Sequence, residues 1–419
     1  MSKLVDDPSL GHGDASGGNL LVYGDNLAAL GALAPTLRGA VRLVYLDPPY
    51  NTGSAFEHYD DQRDHDAWLA MMRATLEAIV PLLREDAVVV AQTDRTESAY
   101  LKVLMDAVFG RAGYVTTVAV RMSGTSGYKI HHTASTLVKN TEYLHVYAPR
   151  RFVLEGRAYA VAAYDDHYNL CVHTAPDGAM RVAPLVDDPD VRAYFTQERL
   201  APLTANLAAL YRTEPFRQWV ALHGARVVRA HTAPRPAQRA HADGGLFAPD
   251  APPDRVIARE YRGERYLLRR GVSNVEQLIP IALKLQPVDT GVYPETPVLT
   301  TILGDWWDGF HRDMGNVERE GAVPFKNGKK PERLLRRLLT LFTRPGDTVL
   351  DPFSGSGTTA AVAHKMRRRW VALESGAQCT SHIVPRLGRV VDGRDPTGVT
   401  AVTGWTGGGG WRGMRLADG

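Results

Sequence analysis

Cysteine is nearly missing: Cys171 and Cys379 are the two in 419 residues. Such a pair cannot build a disulfide framework, and its spacing is not that of a zinc site, so no metal centre is expected. The expected compartment is therefore the reducing cytoplasm. Long apolar runs are missing as well. None approaches the ~20 residues of a membrane helix, and no membrane is expected as a partner. The opening stretch from Met1 to Asp14 is polar and acidic, without the basic-then-apolar order of a secretory signal. No G-x-x-x-x-G-K loop is present, which removes the main support for nucleoside triphosphate binding. Internal repeats are absent. Net charge is close to zero, at +3 from 49 basic and 46 acidic residues.

What is present is an ordinary globular composition, 44% hydrophobic and 23% charged, which excludes global disorder. The length fits two to three domains, or one large domain with an insertion. Charge is unevenly placed. Residues 1–120 carry 9 basic and 16 acidic residues, net −7, whereas 209–270 carry 12 Arg and 6 acids, net +6. Residues 323–370 carry 11 basic and 3 acidic, net +8. A polyanion facing the middle and C-terminal parts explains this asymmetry, and an Arg-rich composition with solvated faces explains it equally well.

Strand-like and helix-like stretches alternate up to Pro149. Leu20–Tyr23 reads as a short buried strand, Asp25 as the N-cap of a helix, and 41–46 as a β-rich run. Two prolines at 48 and 49 end that run, because a central strand cannot continue through them. Trp68, Met72, Leu76 and Ile79 share a helical face. Strands at 87–91, 115–120 and 143–147, with a helix at 100–109, continue the pattern. It returns at Pro331 with a helix over 332–342, a strand over 347–351, a helix from Gly357 and a strand over 370–374. This alternation predicts an α/β fold built on a doubly wound, Rossmann-like sheet. The stretch between is Pro/Arg/Ala-rich and reads as an inserted mixed domain. The expected organisation is 1–149, an insert at 150–302, a second half at 303–395, and a mobile glycine-rich tail at 396–419.

Asp351-Pro-Phe-Ser-Gly-Ser-Gly-Thr-Thr359 follows a strand and opens a helix. Glycines let the backbone approach a ligand there, and a helix N-terminus offers free N–H groups. Asp351, at the strand's carboxyl end, suits an ammonium better than a pyrophosphate. Glu374 ends the next apolar strand, where an acid can accept both ribose hydroxyls. A nucleoside with a positively charged end satisfies both acids, and S-adenosylmethionine is such a molecule. The competing reading is an ordinary strand–helix turn.

Asp47-Pro48-Pro49-Tyr50 is the second signal. An exocyclic amine on a nucleobase is a poor nucleophile because its lone pair is delocalised into the ring. Asp47 accepting one N–H and the Pro48 carbonyl accepting the other would localise that pair, while Tyr50 stacks on the base. The catalytic contribution is then alignment and electrostatics. The competing reading is a proline-rich turn at a strand end.

With both motifs in hand, the chain resembles the amino-methyltransferases of DNA, which modify adenine N6 or cytosine N4. The catalytic motif precedes the cofactor motif, as in the family's beta class. The extended Asp47-Pro-Pro-Tyr-Asn-Thr-Gly53 looks most like the modification subunits of type III restriction systems and their type II relatives. Tyr23-Gly-Asp-Asn-Leu27 resembles the family's Gly-Asp element, Lys139-Asn-Thr-Glu-Tyr-Leu144 its late strand motif, and Lys329-Lys-Pro-Glu-Arg-Leu-Leu335 the Lys-Pro element opening the cofactor half. The likeness covers about 1–148 and 303–392; the stretch between is where the family keeps its target-recognition domain. Pro352 and Ser354 depart from the family's common Asp-Phe-Phe-Ala-Gly-Ser-Gly, and the chain is short for a type III modification subunit.

The resemblance implies a permuted class I methyltransferase fold with an inserted target-recognition domain. It implies Asp47, Pro48, Pro49 and Tyr50 as catalytic residues. Asp25, Asn26, Lys330, Asp351, Phe353, Ser354, Gly355, Gly357, Thr358 and Glu374 become cofactor-binding. It implies methylation of adenine N6 in double-stranded DNA, since cytosine-N4 relatives more often begin the motif with Ser. Cytosine N4, an RNA or protein substrate, and a non-catalytic DNA-binding subunit are the alternatives. A homodimer, or a restriction nuclease or other defence subunit, are the partners it leaves open. Lys129 in the loop containing His131-His132, and Arg269 and Arg270 in the insert, are candidate DNA contacts. Adjacent Trp306 and Trp307 are expected to pack rather than touch DNA, and Arg367–Arg369 to be solvated.

Overall fold

The structure is a computed structural model that describes residues 3–51, 64–124, 137–157, 159–199, 206–232, 252–271, 274–288, 297–325 and 328–417. The chain divides into two compact units, Met1–Ala158 with Leu303–Gly419, and Tyr159–Ile302.

The first unit is built on one large sheet. Val41–Leu46 has all six residues buried, which only a strand covered on both faces allows. Its alternate side chains divide between two cores. Leu43 and Tyr45 join the helices Glu332–Phe342, Thr358–Lys365 and Val384–Val391 on one face. Val44 and Leu46 join Asn26–Leu37, His65–Ile79 and Ser98–Phe109 on the other. Helices on both faces of a mainly parallel sheet make a doubly wound α/β unit. The helix ends follow their chemistry. The Asp25 carboxylate accepts the Ala28 N–H at 2.9 Å and starts Asn26–Leu37. Glu332–Phe342 buries one stripe that includes Leu334, Leu335, Leu338 and Leu339.

Strand order explains how distant motifs meet. Across the sheet run Leu4–Asp6, Gly410–Leu416, Leu20–Tyr23, Arg369–Glu374, Thr348–Asp351, Val41–Leu46, Leu83–Thr93, Thr141–Tyr147, Tyr114–Arg121 and Trp306–Trp307. From Gly410–Leu416 to Leu83–Thr93 every pairing is parallel. Parallel neighbours deliver their carboxyl ends to one edge. Glu374 stands opposite Tyr23, Asp351 opposite Ala372, and Leu350 opposite Val44. Thr141–Tyr147 runs antiparallel to Leu83–Thr93, with Tyr143 opposite Thr93, so its first residues reach the same edge. The C-terminal strands Gly410–Leu416, Arg369–Glu374 and Thr348–Asp351 are interleaved with the N-terminal Leu4–Asp6, Leu20–Tyr23 and Val41–Leu46, which is the permutation expected from the sequence.

The second unit contains a closed six-stranded barrel of Met180–Pro184, Arg255–Tyr261, Glu264–Arg270, Val275–Pro280, Val227–Thr232 and Leu170–Thr174. Val172, Val182, Val228, Val256 and Leu278 fill its interior. A separate core of Tyr164, Tyr211, Phe216 and Trp219 lies among the helices Pro189–Gln197, Leu207–Leu210 and Glu214–His223. A three-stranded sheet, Leu285–Gln286, Val298–Ile302 and Tyr159–Val161, completes it.

The structure corrects several expectations. The glycine-rich end is no mobile tail through Leu416: Gly410–Leu416 is a strand between Leu4–Asp6 and Leu20–Tyr23. Its glycines serve close approach. A Cβ on Gly410 would lie 2.3 Å from the His12 carbonyl oxygen, and one on Gly413 would lie 2.5 Å from the Leu10 backbone. Composition changes at Pro149, yet the chain stays in the first unit beyond it. The buried Arg42 guanidinium donates to the Val153 carbonyl at 2.9 Å and to Glu155 at 3.3 Å. Trp307 is buried, with its indole N–H on the Gly304 carbonyl, whereas Trp306 is exposed. Arg368 is not a solvated residue, because its guanidinium binds Thr343 and the Met366 carbonyl. Lys129, His131 and His132 lie outside the described residues. Among the described residues no helix is long and apolar enough to cross a membrane.

Candidate active site

A cavity of about 550 Å³ opens at the carboxyl edge of the first unit's sheet. Asp25, Asn26, Asp47, Tyr50, Asp351 and Glu374 all line it, although 349 residues separate the first from the last in sequence.

The turn after Val41–Leu46 is fixed from below. The buried Trp68 indole N–H donates to the Pro49 carbonyl at 2.7 Å. This bond anchors the turn that carries Asp47 and Tyr50. Asp47 Oδ1 accepts the Tyr50 hydroxyl at 2.9 Å and faces Lys330 Nζ at 3.1 Å. Burial raises the Asp47 pKa above the ordinary carboxylate value; Lys330 pulls it down and Glu142 pushes it up. Lys330 Nζ also stands 4.7 Å from the centre of the Tyr50 ring, on the aromatic face assigned to the target base.

Two residues of this group carried no assigned role in the sequence reading. Glu142, the second residue of Thr141–Tyr147, lies 2.8 Å from the Tyr50 hydroxyl and 3.6 Å from Lys330 Nζ. Gln92 is fully buried, receives the Tyr45 hydroxyl at 2.6 Å, and donates its amide to Glu142 at 2.6 Å. The signal for Glu142 was its place in Lys139-Asn-Thr-Glu; for Gln92 there was none. Lys330, expected among the cofactor residues, borders the same cavity and forms ion pairs with Asp47 and Glu142, because its extended segment before Glu332–Phe342 brings it to the catalytic turn.

The glycine loop occupies the other side. Asp351 is 4% exposed, accepts the Phe353 N–H at 3.0 Å, and has its pKa pushed up to about 7, chiefly by burial. Ser354 is held from both ends, its hydroxyl on the Asp351 carbonyl and its N–H on that of Leu373. Gly355, at φ +52°, sends its N–H to Glu374 at 2.7 Å, and a Cβ there would meet no atom nearer than the Phe353 carbonyl oxygen at 4.0 Å. Gly357, at φ +75°, packs on Ile383 instead, so it serves packing rather than ligand approach. Thr358 accepts the buried Arg386 guanidinium at 2.7 Å, and Arg386 pairs with Glu332 at 2.8 Å. Phe353 borders the cavity. Glu374 accepts the N–H groups of Gly355 and Gly376 and the Gln378 amide, so the loop fixes its orientation. Burial raises its pKa. Asp25 borders the cavity while capping its helix, and the Asn26 Nδ2 beside it is a buried donor without a hydrogen-bond partner among the described residues.

In the second unit Arg269 pairs with Glu276 at 2.7 Å on the neighbouring strand, a local acid other than those considered. Arg270 is exposed at the end of Glu264–Arg270. Cys171, His173 and Asp188 gather within 4.8 Å, a cluster the sequence did not reveal. The Arg226 guanidinium stands among them, 2.8 Å from Asp188 and 3.3 Å from His173, so a cation of the chain's own already meets this group.

The DNA methylase family, which groups N6 and N4 enzymes, matches residues 41–241 and 288–384. The chain belongs to that family. Among its relatives, the probable type III restriction-modification enzyme HindVI Mod subunit of Haemophilus influenzae is 30% identical over 411 residues. That match takes in 93% of this methylase and 53% of the relative, so the chain spans about half of the relative's length. The type II methyltransferase M.EcaI of Enterobacter cloacae is 23% identical over 397 residues, covering 91% of this chain and 71% of the other. A solved complex of M1.HpyAVI with SAM aligns over 88% of this chain and 98% of its own, at TM-score 0.38 and 11% identity.

Proposed function

We propose that this methylase transfers a methyl group from S-adenosylmethionine to adenine N6 in double-stranded DNA. It would act as the modification component of a restriction-modification or related defence system. The observation that carries this reading is the meeting of Asp47–Tyr50, Asp351–Ser356 and Glu374 on one cavity. The residues fit the cofactor by chemistry. Asp351 offers a carboxylate to an ammonium, Glu374 with three donors on it keeps an acceptor site for a ribose hydroxyl, and Asn26 Nδ2 at the cavity wall is a donor unmet among the described residues. When bound, S-adenosylmethionine supplies an electrophilic methyl group on a sulfonium.

The chain's own residues do the rest. Asp47 accepts one N–H of the target amine and the Pro48 carbonyl the other, drawing the nitrogen lone pair out of the ring. Tyr50 stacks on the base once Lys330 yields its ring face. A base in duplex DNA reaches this cavity only after flipping, at a cost of a few kcal/mol. The barrel-containing unit is the proposed reader of DNA sequence. A restriction subunit as partner belongs to the same proposal, by analogy with the restriction-modification Mod subunit named above. Incubation with tritiated S-adenosylmethionine and unmethylated DNA, RNA or protein tests it. Label in DNA alone is expected, and label in RNA or protein alone contradicts the substrate.

A further inference from the structure

The Tyr50 hydroxyl meets two carboxylates at once, Asp47 at 2.9 Å and Glu142 at 2.8 Å. A phenol has one proton and can donate to only one of them. With both carboxylates ionised it donates to one and lies against the other, a contact that becomes a hydrogen bond once that second carboxyl takes up a proton. Gln92 constrains the direction: with its amide oxygen receiving Tyr45, its NH₂ faces Glu142, which acts as acceptor there. Lys330 lies against both carboxylates. Both acids have side chains 17% exposed, at the rim of one cavity.

We propose that Glu142 is the terminal proton acceptor of the methylation reaction, reached from Asp47 through the Tyr50 hydroxyl. The inference rests on the function proposed above. As the N–CH₃ bond forms from the nitrogen lone pair, the S–CH₃ bonding pair stays on sulfur, leaving a neutral thioether. The nitrogen then carries a positive charge and one proton too many. That proton passes to Asp47. Asp47 hands a proton to the Tyr50 oxygen as the Tyr50 proton moves to Glu142. Charge balances: the sulfonium charge is lost, and one carboxylate becomes a carboxylic acid. The groups facing Asp47 are Tyr50 on its own turn, Tyr45 below, Glu142, Lys330 and, across the cavity, Asp351. Burial and the Glu142 charge make Asp47 a stronger base than an exposed carboxylate, and Lys330 opposes them.

Glu142→Gln keeps the size and an acceptor oxygen but takes no proton; Tyr50→Phe keeps the ring and cuts the path. With plasmid DNA as substrate, Glu142→Gln is expected to lower kcat roughly tenfold to hundredfold. KM for DNA and the calorimetric affinity for S-adenosylhomocysteine should hold. The rate should climb with pH as solvent base replaces the missing acceptor. The double variant should be no slower than the slower single one, as for two steps of one path. Infrared titration of the free protein adds a readout without turnover: the Asp47 carboxyl midpoint should fall in Glu142→Gln, since a like charge has gone. Full-rate Glu142→Gln, losses that multiply, or a loss shared by cofactor affinity would overturn the proposal. A wild-type chain that methylates no DNA defeats the functional reading instead. The infrared midpoint then decides the coupling on its own, and an unmoved midpoint refutes it.

Discussion

Asp351→Asn separates the cost of a buried charge from its use. The Asp351 carboxyl is 4% exposed, and burial lifts its pKa from 3.8 to about 7. A raised folded-state pKa means that the folded protein holds the proton more tightly than the unfolded chain. The stability it confers is complete below about pH 4 and is lost as pH rises through about 7. Three units at 1.36 kcal/mol each put the ionised carboxylate's cost near 4 kcal/mol at pH 8, as an order of magnitude. At pH 5 it is less than half of that. Asparagine can still accept the Phe353 N–H, so the variant should gain roughly 4 kcal/mol of stability at pH 8 and much less at pH 5. Binding should move the opposite way. Losing a charged acceptor for an ammonium removes ~1.5–3 kcal/mol, about a tenfold to hundredfold loss in affinity. In the wild type, affinity should fall about tenfold per pH unit below 7, because binding selects the ionised form. Urea unfolding at pH 5 and 8 gives the first quantity, and calorimetry with S-adenosylhomocysteine gives the second. Equal destabilisation at both pH values would show Asp351 to be a structural acceptor, and unchanged affinity would remove it from the cofactor site.

Asp47→Ala should abolish methyl transfer while leaving S-adenosylhomocysteine affinity within a few-fold; loss of that affinity would make Asp47 a cofactor or structural residue. Glu374→Ala should weaken cofactor binding by about 2 kcal/mol or more and also loosen the loop, because the Gly355 and Gly376 N–H groups lose their acceptor. Glu374→Gln should keep the loop and lose mainly the cofactor, and thermal unfolding beside calorimetry separates the two. Arg269→Ala should leave the slope of log DNA affinity against log salt unchanged, since Arg269 is already paired with Glu276. A flatter slope would place its guanidinium on phosphate.

The first unit was largely legible because its elements are locally consistent. Glu332–Phe342 carries an uninterrupted apolar stripe after a proline, and its bounds agree with the periodicity. Asp25 is a capping residue in sequence and in structure. The barrel was not legible. Its strands are five to seven residues long and pair across large separations, as Leu170 with Val228 does, and such pairing leaves no local trace. Gly410–Leu416 was hidden because glycine signals flexibility locally, whereas here it answers the nearness of His12 and Leu10. The two motifs named most of the cavity wall, yet Glu142 escaped. Only the antiparallel pairing of Thr141–Tyr147 with Leu83–Thr93 carries its first residues to the edge where Asp47 stands. The ion pairs of Lys330 with Asp47 and Glu142 were hidden for a related reason: a motif's neighbours in sequence do not fix which groups a long side chain reaches.

Base-resolved methylation sequencing of DNA from cells expressing the wild type or Asp47→Ala tests the central claim most directly. The account predicts N6-methyladenine at one recurring sequence with the wild type and none with the variant. Methylation only on cytosine N4, or no difference between the two DNAs, would contradict it.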